Sequence, residues 1–156
     1  MKACKGVEMK ILIDGDACPV VDLTMRIASE FNIEVIVFCD TSHAMMRDDV
    51  KVVTVSKGND AVDFKVINEI KKGDILVTQD YGLAAMALAR QSHPIHQNGF
   101  TYTNDNIDQL LFRRHIGKAV RKRGGKTKGP SKRTREQDEA FERNLRALIE
   151  KLNDVS

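Results

Sequence analysis

No run of apolar residues in this chain approaches the roughly 18 needed to cross a bilayer, which argues against a transmembrane span. The opening MKACKGVEMK is too short and too polar for a secretory signal. Met9 opens the first predicted strand, so residues 1–8 are either part of the protein proper or an extension from an alternative start. Cysteine is scarce: Cys4, Cys18 and Cys39 are an odd set without CxxC spacing. That argues against a disulfide framework and a structural zinc site, and for a reducing compartment, the cytoplasm. Tryptophan is absent and aromatics make up only 5% of the chain, which disfavours base-stacking modules such as RRM or OB folds. No internal repeat is visible.

Acid is missing where base is densest. Of the 25 Lys and Arg residues, 11 fall between Arg113 and Arg135, a stretch that holds none of the 22 Asp and Glu. The net charge of +3 therefore hides a strongly basic segment on an acidic body. Such an asymmetry marks either a polyanion partner such as nucleic acid or a solvated tail.

What is present is a 156-residue chain, 42% hydrophobic and 30% charged, enough for one domain with its own core. Short apolar runs predict strands over Met9–Ile13, Glu34–Cys39, Val50–Val55, Asp74–Thr78 and Pro94–Gln97. Runs of this kind, without strict alternation, fit strands buried on both faces of a parallel sheet. Helical spacing predicts a helix from Pro19, with Val20, Leu23, Ile27 and Phe31 along one face, and others over Asp60–Lys71, Tyr81–Gln91 and Asn104–His115. RKRGGKTKGPSKR then has no apolar residue and reads as a flexible loop. Thr134 opens a last helix, with Gln137 as its capping-box partner and Phe141, Leu145, Leu148, Ile149 and Leu152 as its apolar stripe. That stripe must dock on the body or on a second subunit, the one route to an oligomer the sequence offers. The fold class that follows is α/β: a three-layer α/β/α sandwich with a mainly parallel sheet over 9–116, a basic loop over 117–133 and a C-terminal helix over 134–152.

The acidic residues fall where such a fold binds ligands, at the carboxyl ends of its strands. Asp14 and Asp16 follow the first strand in IDGDACP, Asp80 follows the fourth in VTQDYG, and Asp60 and Asp63 open a helix in GNDAVD. Each has a plain structural alternative: Asp60 or Asn59 as an N-cap, Asp63 as a complement to the helix dipole, Asp80 as a cap for the helix starting at Tyr81. Capping does not readily explain why two aspartates flank Gly15 after one buried strand. Two carboxylates about 5 Å apart repel by roughly 3 kcal/mol at an effective dielectric near 20. A gathered set is therefore either protonated or neutralised by a cation. Oxygen ligands without His or Cys favour Mg²⁺ or Mn²⁺ over zinc.

IDGDACPV, KGNDAVDFKV, LVTQDYGLAAMAL and IDQLLFRRH followed by RKRGGKTKGP resemble the YaiI/YqxD family of uncharacterised bacterial proteins, from Met9 to about Leu152. That family is placed in the PIN-like superfamily. The resemblance implies a parallel sheet between helices, an acidic cluster at its carboxyl edge, and a nuclease dependent on Mg²⁺ or Mn²⁺ and acting chiefly on RNA. By position, Asp14 looks like the first-strand acid, Asp60 or Asp63 like the helix acid, Asp80 like the acid after the later strand, and Asp105 or Asp108 like the last. Asp16, the Cys18–Pro19 pair and the basic loop depart from a typical PIN domain.

On this reading Asp14, Asp63 and Asp80 hold the metal, with Asp16 and Asp60 contributing directly or through water, and Asp14, Asp16, Asp63 and Asp80 carry the catalysis. Arg113, Arg114, His115, Lys118, Arg121, Lys122, Arg123, Lys126 and Lys128 would contact backbone phosphates with little sequence preference. A helix-end histidine such as His115 is more often structural, and Cys18 is more simply a small buried thiol than a reactive one. Thr78 and Gln79 either line the pocket or, in the plainer reading, satisfy loop amides. Two other functions compete. Asp14-Gly15-Asp16-Ala17-Cys18 approaches the DxDx(T/V) signature of haloacid-dehalogenase-like phosphatases, whose first aspartate is a nucleophile. Those enzymes need a paired acid late in the chain, and Asp80 has no acidic neighbour in sequence. The basic segment alone would suit a non-catalytic RNA- or ribosome-associated protein.

Overall fold

The computed structural model describes residues 9–15, 18–40, 49–55, 61–113 and 132–155. Five strands form one sheet: β1 (Lys10–Asp14), β2 (Glu34–Asp40), β3 (Lys51–Val55), β4 (Ile75–Val77) and β5 (His93–Ile95). Their order across the sheet is β3-β2-β1-β4-β5, and every neighbouring pair is parallel. The helices are α1 (Val21–Glu30), α2 (Ala61–Glu69), α3 (Tyr81–Ala89), α4 (helical over 107–113) and α5 (Arg135–Val155). The expected three-layer α/β/α class and element order hold, with a sheet that is wholly rather than mainly parallel. The predicted ends move by a few residues. Asp74 and Thr78 fall outside β4, Gln97 lies beyond β5, and Asp40 is the last residue of β2.

The sheet is buried on both faces because its strands are apolar at successive positions, not alternate ones. Ile11 and Ile13 of β1 face one side, where Val21, Ile27 and Ala28 of α1 and Phe141, Leu145 and Ile149 of α5 cover them. Leu12 faces the other side, with Val62 and Val66 of α2 and Leu83 and Ala87 of α3. Pro19 lies in the turn before α1 and is not part of its first helical turn. The stripe on α5 docks on the body: Phe141, Leu145 and Ile149 are fully buried within the chain. Thr134 and Gln137 form the expected capping box, the Thr134 N–H donating to Gln137 Oε1 at 3.0 Å and the Gln137 N–H to Thr134 Oγ1 at 3.2 Å. Gly99 lets the segment after β5 meet this helix, since a Cβ there would stand 2.7 Å from the Ala140 carbonyl oxygen and its φ is +102°. Among the described residues no helix is long and apolar enough to cross a membrane.

At the amino edge of the sheet the buried Asp74 accepts hydrogen bonds from the Lys10 and Lys71 N–H groups (3.1 and 2.9 Å) and from Lys10 Nζ (3.0 Å). This ties the start of β1 to that of β4. A cavity of about 1040 Å³, lined in part by Gly73, Asp74, His93, Thr103 and Asn104, opens at the same edge. None of the predicted site residues lines it.

Candidate functional site

The strand order reverses between β1 and β4: from β1 the chain adds β2 and β3 on one side, and later β4 and β5 on the other. The crevice at the carboxyl ends of these two strands is where an open parallel sheet binds ligands. Asp14 is the last residue of β1. Leu12 faces α2 and α3, so strand alternation turns Asp14 to the same side. Gly15 makes the turn out of the strand tight. Its N–H donates to the Phe38 carbonyl at 2.7 Å, and a Cβ there would collide with Val37 Cγ1 at 2.6 Å.

Across the crevice Thr78 follows β4, buried at 2% exposure. Its hydroxyl donates to Asp14 Oδ2 at 2.9 Å and accepts the Asp80 N–H at 3.0 Å. Asp80 caps α3, with Oδ1 accepting the N–H groups of Gly82 and Leu83 at 2.8 and 3.1 Å. The capping alternative for Asp80 is thus real, and the cap fixes the residue at the crevice. Tyr102 closes the back of the site by donating its hydroxyl to the Thr78 carbonyl at 3.0 Å. Burial holds this phenol well above its ordinary pKa, and Tyr81, Asp80 and Asp14 add to the shift. One hydroxyl therefore senses both carboxylates. Sequence reasoning missed Tyr102 because a lone tyrosine in a loop carries no periodic signal, and it gave Thr78 half its role.

Asp63 lies in the first turn of α2, which packs on β1, β2, β3 and α3. A further acid, Asp40, ends β2 on the same edge and face, two residues past Phe38, the partner of Asp14 in register. The sequence marked it as a strand end only. Asp105 and Asp108 are exposed, and Asp105 directly follows two residues that line the amino-edge cavity. Asp16 and Asp60 lie outside the described residues, as do Arg114, His115, Lys118, Arg121, Lys122, Arg123, Lys126 and Lys128. Among the described residues no three His, Cys, Asp or Glu side chains gather closely enough to hold one metal ion.

Beside the acids, burial pushes the Cys18 thiol up to about 11, opposed by a backbone hydrogen bond at Val20, raised further by Asp14 and opposed by Arg133. Cys18 packs against the α1 side of the core. It is a protonated packing residue, as the plainer reading expected. Arg133 is fully engaged, with Nε on Asp138 at 2.7 Å, Nη1 on Asn98 Oδ1 at 2.8 Å and Nη2 on the Gln97 carbonyl at 2.7 Å. It binds the entry of α5 to the loop after β5.

Comparison with known proteins follows this geometry. The model of the family described as "Uncharacterized BCR, YaiI/YqxD family" matches residues 12–151. A protein of Exiguobacterium sibiricum named "UPF0178 protein" is 51% identical over 146 residues, covering 94% of this chain and 100% of its own length. A Clostridium acetobutylicum protein of the same name is 50% identical over 143 residues, covering 90% and 97%. Among solved structures, Rae1 (YacP) from Bacillus subtilis aligns with a TM-score of 0.41 at 16% identity, covering 95% of this chain and 99% of that one.

Proposed function

The chain belongs to the YaiI/YqxD family of uncharacterised bacterial proteins, and from that premise we propose that it is a divalent-metal-dependent nuclease acting on RNA at the carboxyl edge of its sheet. The observation that carries the reading is the Asp14–Thr78–Asp80 link across the strand-order reversal. A single hydroxyl orients one carboxylate and fixes the backbone of the next. Asp14 and Asp80 offer hard oxygen donors, which suit Mg²⁺ or Mn²⁺, and Cys18 beside them stays protonated. We assign Asp14 and Asp80 to the ion directly and Asp63 through water, with Asp16 and Asp60 completing the set. When bound, the ion supplies positive charge to the scissile phosphate and acidifies a water.

The chain's own residues do the rest. Thr78 holds Asp14 in one rotamer, and Gly15 keeps the turn after it clear of side chain. The amino ends of α2 and α3 lie at this edge, and their partial positive charge favours a phosphate. Arg113 and the basic residues through Lys128 hold the strand by its phosphates. The setting proposed is the cytoplasm. The Asp80 cap favours a second reading, an RNA- or ribosome-associated protein that binds without cutting.

Labelled single-stranded RNA incubated with Mn²⁺ or Mg²⁺ tests both. We expect cleavage by the wild type and a loss of at least about 100-fold in Asp14→Asn, with binding retained. Equal cleavage by the two proteins would remove the site from consideration. Binding without cleavage in both supports the second reading, and turnover of small phosphate esters without any polynucleotide supports the phosphatase.

A further inference from the structure

The chain holds only six phenylalanines and two tyrosines, yet two of these eight rings, Phe100 and Tyr102, meet His96 beside the site, and a third, Tyr81, meets Tyr102. Tyr102, whose hydroxyl bonds Thr78, stands edge-on to Tyr81 (centroids 5.9 Å apart, planes at 64°), to Phe100 (5.2 Å, 67°) and to His96 (6.2 Å, 61°). Phe100 and His96 stack nearly parallel, 4.4 Å apart at 14°. Tyr102 is buried at 3% exposure, but Phe100 keeps 38% of its surface in solvent.

The turn that carries His96 and Phe100 is held by several hydrogen bonds. The His96 N–H donates to the Phe100 carbonyl and the Gly99 N–H to the His96 carbonyl, both at 2.8 Å. His96 Nδ1 accepts the Asn98 N–H at 3.0 Å, which puts the proton of the neutral ring on Nε2. Arg133 clamps Gln97 and Asn98, and Asn144 of α5 donates to the Gly99 carbonyl at 2.9 Å. Phe100 is therefore held in the open by the fold.

We propose that Phe100, backed by His96, is a stacking platform for one nucleobase of a single-stranded polynucleotide whose backbone passes Asp14. The proposal rests on the nucleic-acid reading above and adds base contact to it. Contacts link the two places without a gap: Asp14 to Thr78, Thr78 to Tyr102, Tyr102 to Phe100. One exposed ring is far smaller than the roughly 800 Å² a protein partner covers on each side, but it matches the face of one base. Stacking accepts any base, so the platform adds affinity and register with little sequence preference.

The test is binding of a labelled single-stranded RNA and of an abasic strand of equal length and charge, each by fluorescence anisotropy in Ca²⁺. Wild type should prefer the base-bearing strand. Phe100→Ala should weaken that strand about 10-fold and leave the abasic strand unchanged, while Phe100→Trp should hold wild-type affinity. Thermal melts of both variants report folding separately. Loss on both strands alike, or on neither, overturns the platform and leaves nucleic-acid binding standing. Failure of the wild type to bind either strand overturns both.

Discussion

His96 carries a second consequence at the scale of one residue. Burial lowers its pKa to about 4, with the Arg133 charge pushing the same way. In the unfolded chain the imidazole returns to its ordinary value near 6.5. Between those values the unfolded chain binds the extra proton, so stability rises with pH across the window. The contribution is complete above about 6.5 and is lost as pH falls toward about 4. Urea midpoints measured from pH 7 down to pH 4.5 should therefore fall more steeply for the wild type than for His96→Asn. Parallel lines for the two proteins would refute the assignment. Single residues were also where the sequence was least legible. Asp14 stood out because it ends an apolar run, and Asp80 because it precedes an alanine-rich helix. Thr78, Tyr102 and Arg133 act through contacts 24 to 64 positions away in sequence, and no local pattern announces such contacts.

At the scale of elements the sequence was legible for a physical reason. Strands buried on both faces must be apolar throughout, and helices that cover them must carry a stripe, so type and order follow from periodicity. The ends did not follow as well. Asp74 is buried, yet its carboxylate serves Lys10 and Lys71 and leaves the strand to begin at Ile75. Helix α5 was predicted with its cap and stripe, but its seat was open until Gly99 was seen against Ala140. Gly99→Ala should strain a positive φ and drive a methyl into the Ala140 carbonyl, at a cost of about 2 kcal/mol or more. Thr134→Ala, which removes only the capping box, should cost about 1 kcal/mol. Equilibrium urea unfolding measures both. A loss at Gly99 no larger than that at Thr134 would show that the close approach relaxes freely.

Across the whole molecule charge and fold are divided. Acids end the strands at one edge of the sheet, and the densest base lies between α4 and α5, largely outside the described residues. What that segment does was read from composition alone, because low-complexity charge has no period to interpret. Its electrostatics are still testable. Log affinity for single-stranded RNA should fall linearly with log salt, by about 0.7 per phosphate neutralised. Replacing Arg121, Lys122 and Arg123 by Gln should reduce that slope by about 2. An unchanged slope would place the phosphate contacts elsewhere.

The seat of α5 also imposes an order on synthesis. Ile11, Ile13, Val37, Ile75, Val77 and Ile95 all leave the ribosome before Phe141, Leu145 and Ile149, which share their side of the core. A nascent chain that has already paired its five strands and packed α1 still presents to water the part of that face which α5 covers. That part stays adhesive until the final helix is made, the interval in which a chain is open to aggregation and to chaperones. Closure of that core layer is thus completed only by α5, and a stall before α5 is made would leave part of one side of a folded sheet uncovered.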